Sequence, residues 1–224
     1  MHAAKAVDQR AREEIERAVA EAETLTSAEL VCAIATESGR YDRAESLIGF
    51  ALALVALSLA HVALAEPAAD WMSGPSLALG WETAAAVLGF IAGSVLASYV
   101  HPLRRMVVGA REMEQEVQRA ARSVFAQASV ALTRGGTGVL IYVSLFERMV
   151  LILADSRAYQ ALGAASVESL RDLAVQHLRR GEYVETFIRT LRAAGERLAA
   201  SLPAQRQSNP DELSNKVLVF PVRP

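Results

Sequence analysis

Two long apolar runs stand out in the hydropathy pattern of the chain. Residues 47–65 and 83–100 contain no Asp, Glu, Lys or Arg. A helix rises about 1.5 Å per residue, so each run is close to the roughly 30 Å hydrocarbon core of a bilayer. We predict transmembrane helices at 47–65 and 82–101, joined by a short extracytoplasmic loop at 66–81. The alternative, two buried helices of a soluble core, requires a small protein to bury both runs.

The flanks of the two runs predict their orientation. The basic residues beside them are Arg40, Arg43, His101, Arg104, Arg105 and Arg111. The connecting loop contains Glu66 and Asp70 but no basic residue. Because cytoplasmic flanks are enriched in Lys and Arg, we expect both termini to be cytoplasmic in a multi-pass protein of the inner membrane.

Small residues recur along the second run. Ala85, Gly89, Gly93 and Ala97 are spaced four apart, which places them on one helix face. Such a face allows close backbone approach to another helix, most simply the first span. It also suggests a homo-oligomer that forms through Gly89 and Gly93.

A third apolar segment, at 138–155, has a different pattern. It is long enough to cross a membrane, but Glu147 and Arg148 lie at its middle, where each costs about 2.5–3.5 kcal/mol on insertion scales. Its abundance of Val and Ile favours two antiparallel strands, with residues 146–148 as a tight, solvated turn. Both halves are apolar on both faces, so we expect the hairpin at the centre of a sheet covered by helices on each side.

The remaining elements complete one α/β domain. Apolar residues at helical spacing predict amphipathic helices at 8–24, 106–132, 166–180 and 184–198. Short apolar runs predict strands at 29–36 and 216–222, the latter at a sheet edge because of Pro221. The predicted fold is an αβα sandwich with a two-helix transmembrane hairpin inserted after the first strand. Residues 1–46 supply the first helix and strand, and residues 102–224 supply the rest of the cytoplasmic domain.

Composition narrows the function classes. The 23 basic and 25 acidic residues give a net charge of −2, which argues against nucleic acid as a partner. Cys32 is the single cysteine and lies in an apolar run, so we expect a core side chain and no intrachain disulfide. The segment 134–138, RGGTG, follows a helix and precedes a strand, the reverse of a phosphate-binding loop, and is interpreted as a helix stop.

Two stretches carry a resemblance to a known family. "AEAETLTSAELVCAIATESGRY" and "GTGVLIYVSLFERMVLILAD" resemble the TPM domain family, which includes thylakoid lumen proteins of photosystem repair and bacterial YgcG-like membrane proteins. The matching positions are Thr26, Ser27, Glu29, Thr137, Gly138, Val139, Leu140, Ile141, Glu147 and Arg148. Ser27 replaces the family's usual glycine. The subgroup with two spans between first strand and hairpin matches best.

The resemblance implies an αβα sandwich and a role in assembly or maintenance of membrane complexes. It also implies, for some members, a metal-dependent phosphatase activity with acidic ligands. The candidates for such a site are Asp155 and Asp42, as catalytic or metal-binding residues, and Glu147 as a further ligand of a divalent cation such as calcium or magnesium. The competing interpretation of Asp155 is a cap on the following turn.

Three function classes remain open from the sequence. The first is a membrane-anchored module that binds another membrane or membrane-associated protein without strong catalysis. The second is a metal-dependent phosphatase, which requires Asp155, Asp42 and Glu147 to converge on one cleft. The third, a transporter component, is disfavoured by the presence of only two spans. The scattered histidines, His177 among them, lack metal-ligand spacing and predict packing or surface roles.

Overall fold

A computed structural model describes residues 2–64, 78–130, 133, 135–204 and 213–224. The chain divides into two units, which are described separately. Residues 1–39 and 111–224 form an α/β unit, and residues 40–110 form a helical unit. The α/β unit is therefore discontinuous in sequence, because the helical unit is inserted after its first strand.

A four-stranded sheet lies at the centre of the α/β unit. Its strands are β1 (Leu30–Ala35), β2 (Val139–Ser144), β3 (Met149–Ala154) and β4 (Leu218–Phe220), in the order β3-β2-β1-β4. β1 is parallel to both β2 and β4, whereas β2 and β3 form an antiparallel hairpin. The sheet is mixed, and β4 lies at an edge as Pro221 predicts.

Helices cover both faces of this sheet. Alternate β1 side chains, including Cys32 and Ile34, pack against α1 (Ala3–Ala6), α2 (Gln9–Glu23), α7 (Ser156–Arg179) and α8 (Tyr183–Ala199). The intervening residues, such as Val31 and Ala33, pack against α6 (Ala110–Gln127) on the other face. Successive strand side chains point to opposite faces, so a strand that is apolar throughout fits between two helical layers.

The two strands of the hairpin differ in position. Every residue of β2 is buried, as expected for a central strand. β3 is instead an edge strand, in which Val150 and Ile152 are buried and the other four residues are partly exposed. The prediction of a central position is therefore correct for β2 and wrong for β3. The apolar composition of β3 does not show which strands pair. Because β4 pairs with β1, β3 has β2 as its single neighbour in the sheet.

Several helix boundaries differ from the sequence-based expectations. Asp8 caps α2 by accepting the N–H of Ala11 at 2.8 Å, as predicted. α6 ends at Gln127, five residues earlier than expected, and Ser129 then adopts a positive φ of 57°. α7 begins at Ser156 rather than 166, with a non-helical kink at Gly163. The kink interrupts the apolar periodicity, which hides the first part of this helix from pattern analysis.

The helical unit contains α3 (Asp42–Leu64), α4 (Ala78–Tyr99) and the short α5 (His101–Val107). α3 and α4 are long and apolar enough to cross a membrane, with mean hydropathies of 2.1 over Asp42–Ala63 and 1.5 over Leu79–Tyr99. α3 starts five residues before the predicted span. Residues 65–77, which contain most of the predicted loop, lie outside the described residues.

Glycines set the distance between α3 and α4. A Cβ at Gly93 would lie 2.9 Å from the Cα of Gly49 and 2.9 Å from the carbonyl oxygen of Ile48. A Cβ at Gly89 would lie 2.8 Å from the Cβ of Ala56. The predicted small-residue face therefore packs on α3 of the same chain. A homo-oligomer through Gly89 and Gly93 stays a prediction, and these two positions are already filled by the intrachain contact.

Polar side-chain contacts lie at both ends of the α3–α4 hairpin. Near the loop end, the His61 Nδ1 lies 2.9 Å from the Glu82 Oε1. At the opposite end, the Arg104 Nη1 lies 3.0 Å from the Glu45 Oε1. Glu45 and His61 are 16 positions apart on α3, which corresponds to about 24 Å of helix. The apolar part of the hairpin is thus bracketed by polar contacts at a separation near the thickness of a hydrocarbon core.

Candidate functional site

Four polar side chains converge in the α/β unit where β1 and β2 end. Glu147, in the hairpin turn, accepts a hydrogen bond from the Ser38 backbone N–H at 2.9 Å and another from the Ser144 hydroxyl. The Ser38 hydroxyl lies 2.9 Å from the Tyr142 Oη and 2.8 Å from the Ser144 Oγ. We call Ser38, Tyr142, Ser144 and Glu147 the buried polar cluster.

The register of the sheet explains why these residues meet. Tyr142 and Ser144 are two apart on β2, so they share the face that packs against α6. β1 runs parallel to β2, with Ala35 opposite Ser144, so the chain leaving β1 reaches Ser38 beside the same end of β2. The turn after β2 then returns the Glu147 carboxylate towards that position. Parallel pairing therefore assembles the cluster.

The cluster is closed to solvent. Glu147 is 1% exposed and Ser38, the most exposed member, is 8% exposed. The expectation of a solvated turn is therefore wrong for Glu147 and correct for Arg148, which is exposed. A charged group leaves water only when hydrogen bonds replace its hydration. The donors from Ser38 and Ser144 supply that replacement, and their contribution could not be seen from the turn sequence.

Burial also changes the titration of Tyr142. Burial raises the pKa of its phenol, and the nearby Glu147 charge adds to that rise, while hydrogen bonds with Ser38 and Ser144 oppose it. The phenol therefore remains protonated at neutral pH and can donate within the cluster. An enclosed arrangement of this kind fixes the backbone and does not present a group to a substrate.

The segment that leaves β1 is held from several sides. The Thr36 Oγ1 accepts the Ala3 N–H at 2.8 Å and donates to the Pro221 carbonyl at 2.7 Å. The Phe146 N–H donates to the Thr36 carbonyl at 2.9 Å, and the Glu37 N–H donates to the Val222 carbonyl at 3.1 Å. Residues 36–38 thus connect α1, the hairpin turn and the C-terminal strand directly before the chain enters the helical unit.

Asp155 lies at the opposite end of the sheet from Glu147. It follows β3, which is antiparallel to β2, so Ala154 is opposite Val139 at the start of β2. Its Oδ1 accepts the Ser156 N–H at 2.6 Å, which makes Asp155 the N-cap of α7. The capping interpretation is thereby confirmed. A catalytic role for Asp155 stays a prediction.

The three candidate carboxylates do not form one cation site. Asp155 and Glu147 are separated by the length of β2, roughly 17 Å at the usual rise per strand residue. Asp42 belongs to the helical unit, where its Oδ2 lies 3.2 Å from the Arg40 Nη2. Within the described ranges, no three His, Cys, Asp or Glu side chains come together as a metal site. These residues therefore do not fit the divalent cation that the family resemblance implies.

The other candidates from the sequence have structural roles. Cys32 is 1% exposed, and burial, with a contribution from the Glu23 charge, raises the pKa of its thiol, which makes it an unreactive core side chain. The His177 Nδ1 contacts the Glu182 Oε2 at 2.6 Å near the end of α7. A Cβ at Gly138 would collide with the Val130 carbonyl oxygen, so this glycine permits close packing where β2 begins.

The comparisons with known proteins add evidence on the fold alone. No family model matches the chain, and no curated protein matches it. Its structure is similar to the NMR structure of BA42 protein from the psychrophilic bacterium Bizionia argentinensis, with a TM-score of 0.55. The two sequences are 16% identical, and the match covers 95% of this chain and 94% of that one. The chain therefore has a mixed α/β fold that it shares with BA42.

Proposed function

We propose that this chain is a membrane-anchored TPM-like protein whose α/β unit binds another membrane or membrane-associated protein at the inner membrane, in an assembly or maintenance role without strong catalysis. The observation that carries the anchoring is the exposed apolar surface of α3 and α4. Leu54, Leu59 and Val62 are 65%, 66% and 76% exposed, and Leu88 is 65% exposed. Water disfavours such a surface, whereas hydrocarbon accommodates it.

The organisation of the chain supports a role in holding a partner at the membrane. The insertion point of the helical unit follows residues 36–38, which are bound to three parts of the α/β unit. Next to that point, the buried polar cluster uses Glu147 for internal hydrogen bonds. On the edge strand β3, Met149, Leu151 and Leu153 are partly exposed. An apolar edge strand is a recurrent protein-binding element.

The anchoring is tested by placing a charge on the exposed surface of α3. We expect Leu54→Arg to move the protein from carbonate-washed membranes to the soluble or aggregated fraction, because a central arginine costs about 2.5–3.5 kcal/mol on insertion scales. Gln115→Arg on the exposed side of α6 is the matched control and leaves the fractionation unchanged. Wild-type protein that is extracted by carbonate overturns the anchoring.

The partner is tested by photocrosslinking in intact cells. A photoreactive residue at Leu151 on β3 is expected to give a discrete crosslinked product in the membrane fraction, and one at Gln115 on α6 is not. A C-terminal reporter, active only in the cytoplasm, tests the predicted orientation in the same strain. No product from any position on β3, together with phosphoester hydrolysis that is lost in Asp155→Asn, would replace the binding module with the phosphatase hypothesis.

A further inference from the structure

α5 is a separate short helix at the base of the α3–α4 hairpin. α4 ends at Tyr99, and Val100 interrupts the helix with φ −98° and ψ 82°. Pro102 lies in the first turn of α5 and has no N–H with which to continue the hydrogen bonds of α4. Val108 then adopts an extended conformation and ends α5. The chain therefore changes direction at the point where the second span ends.

One side of α5 is attached to the start of α3. The Arg104 side chain is 8% exposed, and its Nη1 lies 3.0 Å from the Glu45 Oε1. The same guanidinium lies over the Tyr41 ring, with its central carbon 5.8 Å from the ring centroid. A nearly buried arginine with a carboxylate and an aromatic face as partners fixes the orientation of its helix. α5 is thereby held beside the first turn of α3.

The outer side of α5 is apolar and exposed. Met106 is 84% exposed and Val107 is 40% exposed. The preceding residues at the end of the span, Tyr99 and Val100, are 80% and 37% exposed. Single exposed apolar side chains are ordinary on a protein surface, but these residues continue the exposed apolar surface of α4 into α5. A tyrosine at the end of a span is typical of the membrane–water interface.

The charges around α5 are predominantly positive. Residues 40–46 and 101–110 contain four arginines and two carboxylates. The carboxylates of Asp42 and Glu45 pair with Arg40 and Arg104. Among the four arginines, Arg43 is exposed at the start of α3 and Arg105 is partly exposed on α5. The formal charge of these two segments is therefore positive, and Arg105 directly precedes the exposed Met106 on the same short helix.

We propose that α5 lies in the interfacial layer of the bilayer and binds anionic phospholipid headgroups. Met106 and Val107 enter the boundary between headgroups and acyl chains, and Arg43 and Arg105 contact lipid phosphates. This inference rests on the proposed membrane anchoring. Its two supports are the continuity of the apolar surface with α4 and the charge complementarity between arginines and anionic lipid. The Arg104–Glu45 pair sets the orientation of α5 at this surface.

The depth of α5 is tested with fluorescent labels on the full chain in phosphatidylcholine–phosphatidylglycerol vesicles. The label is placed at Met106→Cys, with Val55→Cys on α3 as the membrane reference and Arg119→Cys on α6 as the aqueous reference; Cys32 is buried and escapes labelling. We expect the label at 106 to be quenched by lipids that carry a shallow quencher. The label at 55 is expected to respond to deep quenchers, and the label at 119 to aqueous iodide.

The headgroup preference is tested by the ratio of phosphatidylglycerol to phosphatidylcholine that copurifies from mixed vesicles. Each of Arg43→Gln and Arg105→Gln should lower this ratio by roughly fivefold, because an arginine near an anionic membrane surface contributes about 1 kcal/mol to lipid binding. Arg119→Gln is the matched control and leaves the ratio unchanged. Addition of inorganic phosphate should not reduce the ratio, since the site binds the lipid surface and not the free ion.

The outcomes separate this proposal from the anchoring. If the label at 55 responds to lipid quenchers and the label at 106 responds only to iodide, the membrane anchor stands and the interfacial position of α5 is overturned. If the label at 55 also responds to iodide, the anchoring itself fails. An unchanged lipid ratio in both arginine variants overturns the headgroup contact even when the label at 106 is shallow.

Discussion

The two units of this protein place the same kinds of side chain in opposite surroundings. In the α/β unit, Phe187 and Leu191 are 0% exposed in the core. In the helical unit, Leu54 and Leu88 are each 65% exposed, although their helices pack closely through glycine. The first unit is stabilised by removing apolar area from water, and the second by backbone packing, as in helices surrounded by lipid. Leucine is thus buried in one unit and exposed in the other, so residue type alone does not decide which side of a helix is buried.

The largest expected difference between the units comes from truncating a leucine in each. Leu191→Ala should lower the free energy of unfolding of the α/β unit by about 2–5 kcal/mol, because it leaves a cavity in a closed core. Leu88→Ala should change it by about 0.5 kcal/mol or less, as at an ordinary surface position. Hydrogen exchange of β2 in the detergent-solubilised chain under increasing urea measures both. Equal losses would remove the distinction between the units.

The next effect is expected at the buried polar cluster. Glu147→Ala leaves the Ser38 N–H and the Ser144 hydroxyl without an acceptor they now use. We expect a loss of about 3 kcal/mol in the free energy of unfolding of the α/β unit, since each buried unsatisfied donor costs about 1–3 kcal/mol. Glu147→Gln retains one acceptor oxygen and should lose less. Arg148→Ala in the same turn is exposed and serves as the control; a loss as large as that of Glu147→Ala would contradict the role of the cluster.

A smaller effect should arise in the helical unit from adding bulk at a glycine. Gly93→Leu places a side chain against Gly49 and Ile48, so we expect α3 and α4 to separate and their contact to weaken by about 2 kcal/mol, within the usual range for overpacking. Gly80→Leu is the matched control on α4, because no described atom outside its own stretch of helix lies within 4 Å of its added Cβ. Energy transfer between labels on the two helices, followed during SDS titration, measures the change. Comparable weakening in both variants would argue against glycine-mediated packing.

The smallest effect concerns alkaline pH. The folded protein holds the Tyr142 proton more tightly than the unfolded chain does, because burial raises its pKa. This stabilisation is complete below the ordinary tyrosine pKa of about 10 and is lost as the pH rises through the higher folded-state pKa. Tyr142→Phe should lower the melting temperature at neutral pH. It should also make the melting temperature fall less steeply as the pH rises above the ordinary tyrosine pKa of about 10. Tyr159→Phe, at an exposed position on α7, is the control. If the melting temperature of Tyr142→Phe fell at alkaline pH as steeply as that of the wild type, Tyr142 would not be the group responsible.

Much of the fold follows from sequence pattern. Unbroken apolar runs identify α3 and α4, and helical periodicity identifies α2, α6 and α8. Asp8 marks the start of α2 because a cap is a local interaction between neighbouring residues. The start of α7 was missed because Gly163 breaks the periodicity, although Asp155 marks it. Local signals were therefore sufficient for most elements and failed where a kink divides one.

The candidate site was less accessible to prediction. No local signal connects Ser38 with Tyr142, since the two residues are 104 positions apart in the chain. The apparent turn residue Glu147 became buried only because parallel pairing of β1 and β2 brings Ser38 and Ser144 to it. One signal in the sequence could have indicated it: Tyr142 and Ser144 interrupt an otherwise apolar strand two positions apart, and therefore on one face, and Glu147 follows three residues later.

Hydropathy and contacts between near neighbours are sufficient to predict most of the helices and strands, the two lipid-compatible helices and the insertion of one unit into the other. Long-range pairing in the folded chain decides which strand lies at the edge, which glycines lie in the contact between α3 and α4 and which carboxylate is buried. Those properties depend on pairings between distant segments, and a residue's environment is fixed only when its partners arrive. For this reason Asp155 and Glu147, which each follow an apolar strand in the sequence, lie at opposite ends of the sheet. Asp155 is a partly exposed helix cap, and Glu147 belongs to a closed hydrogen-bond network.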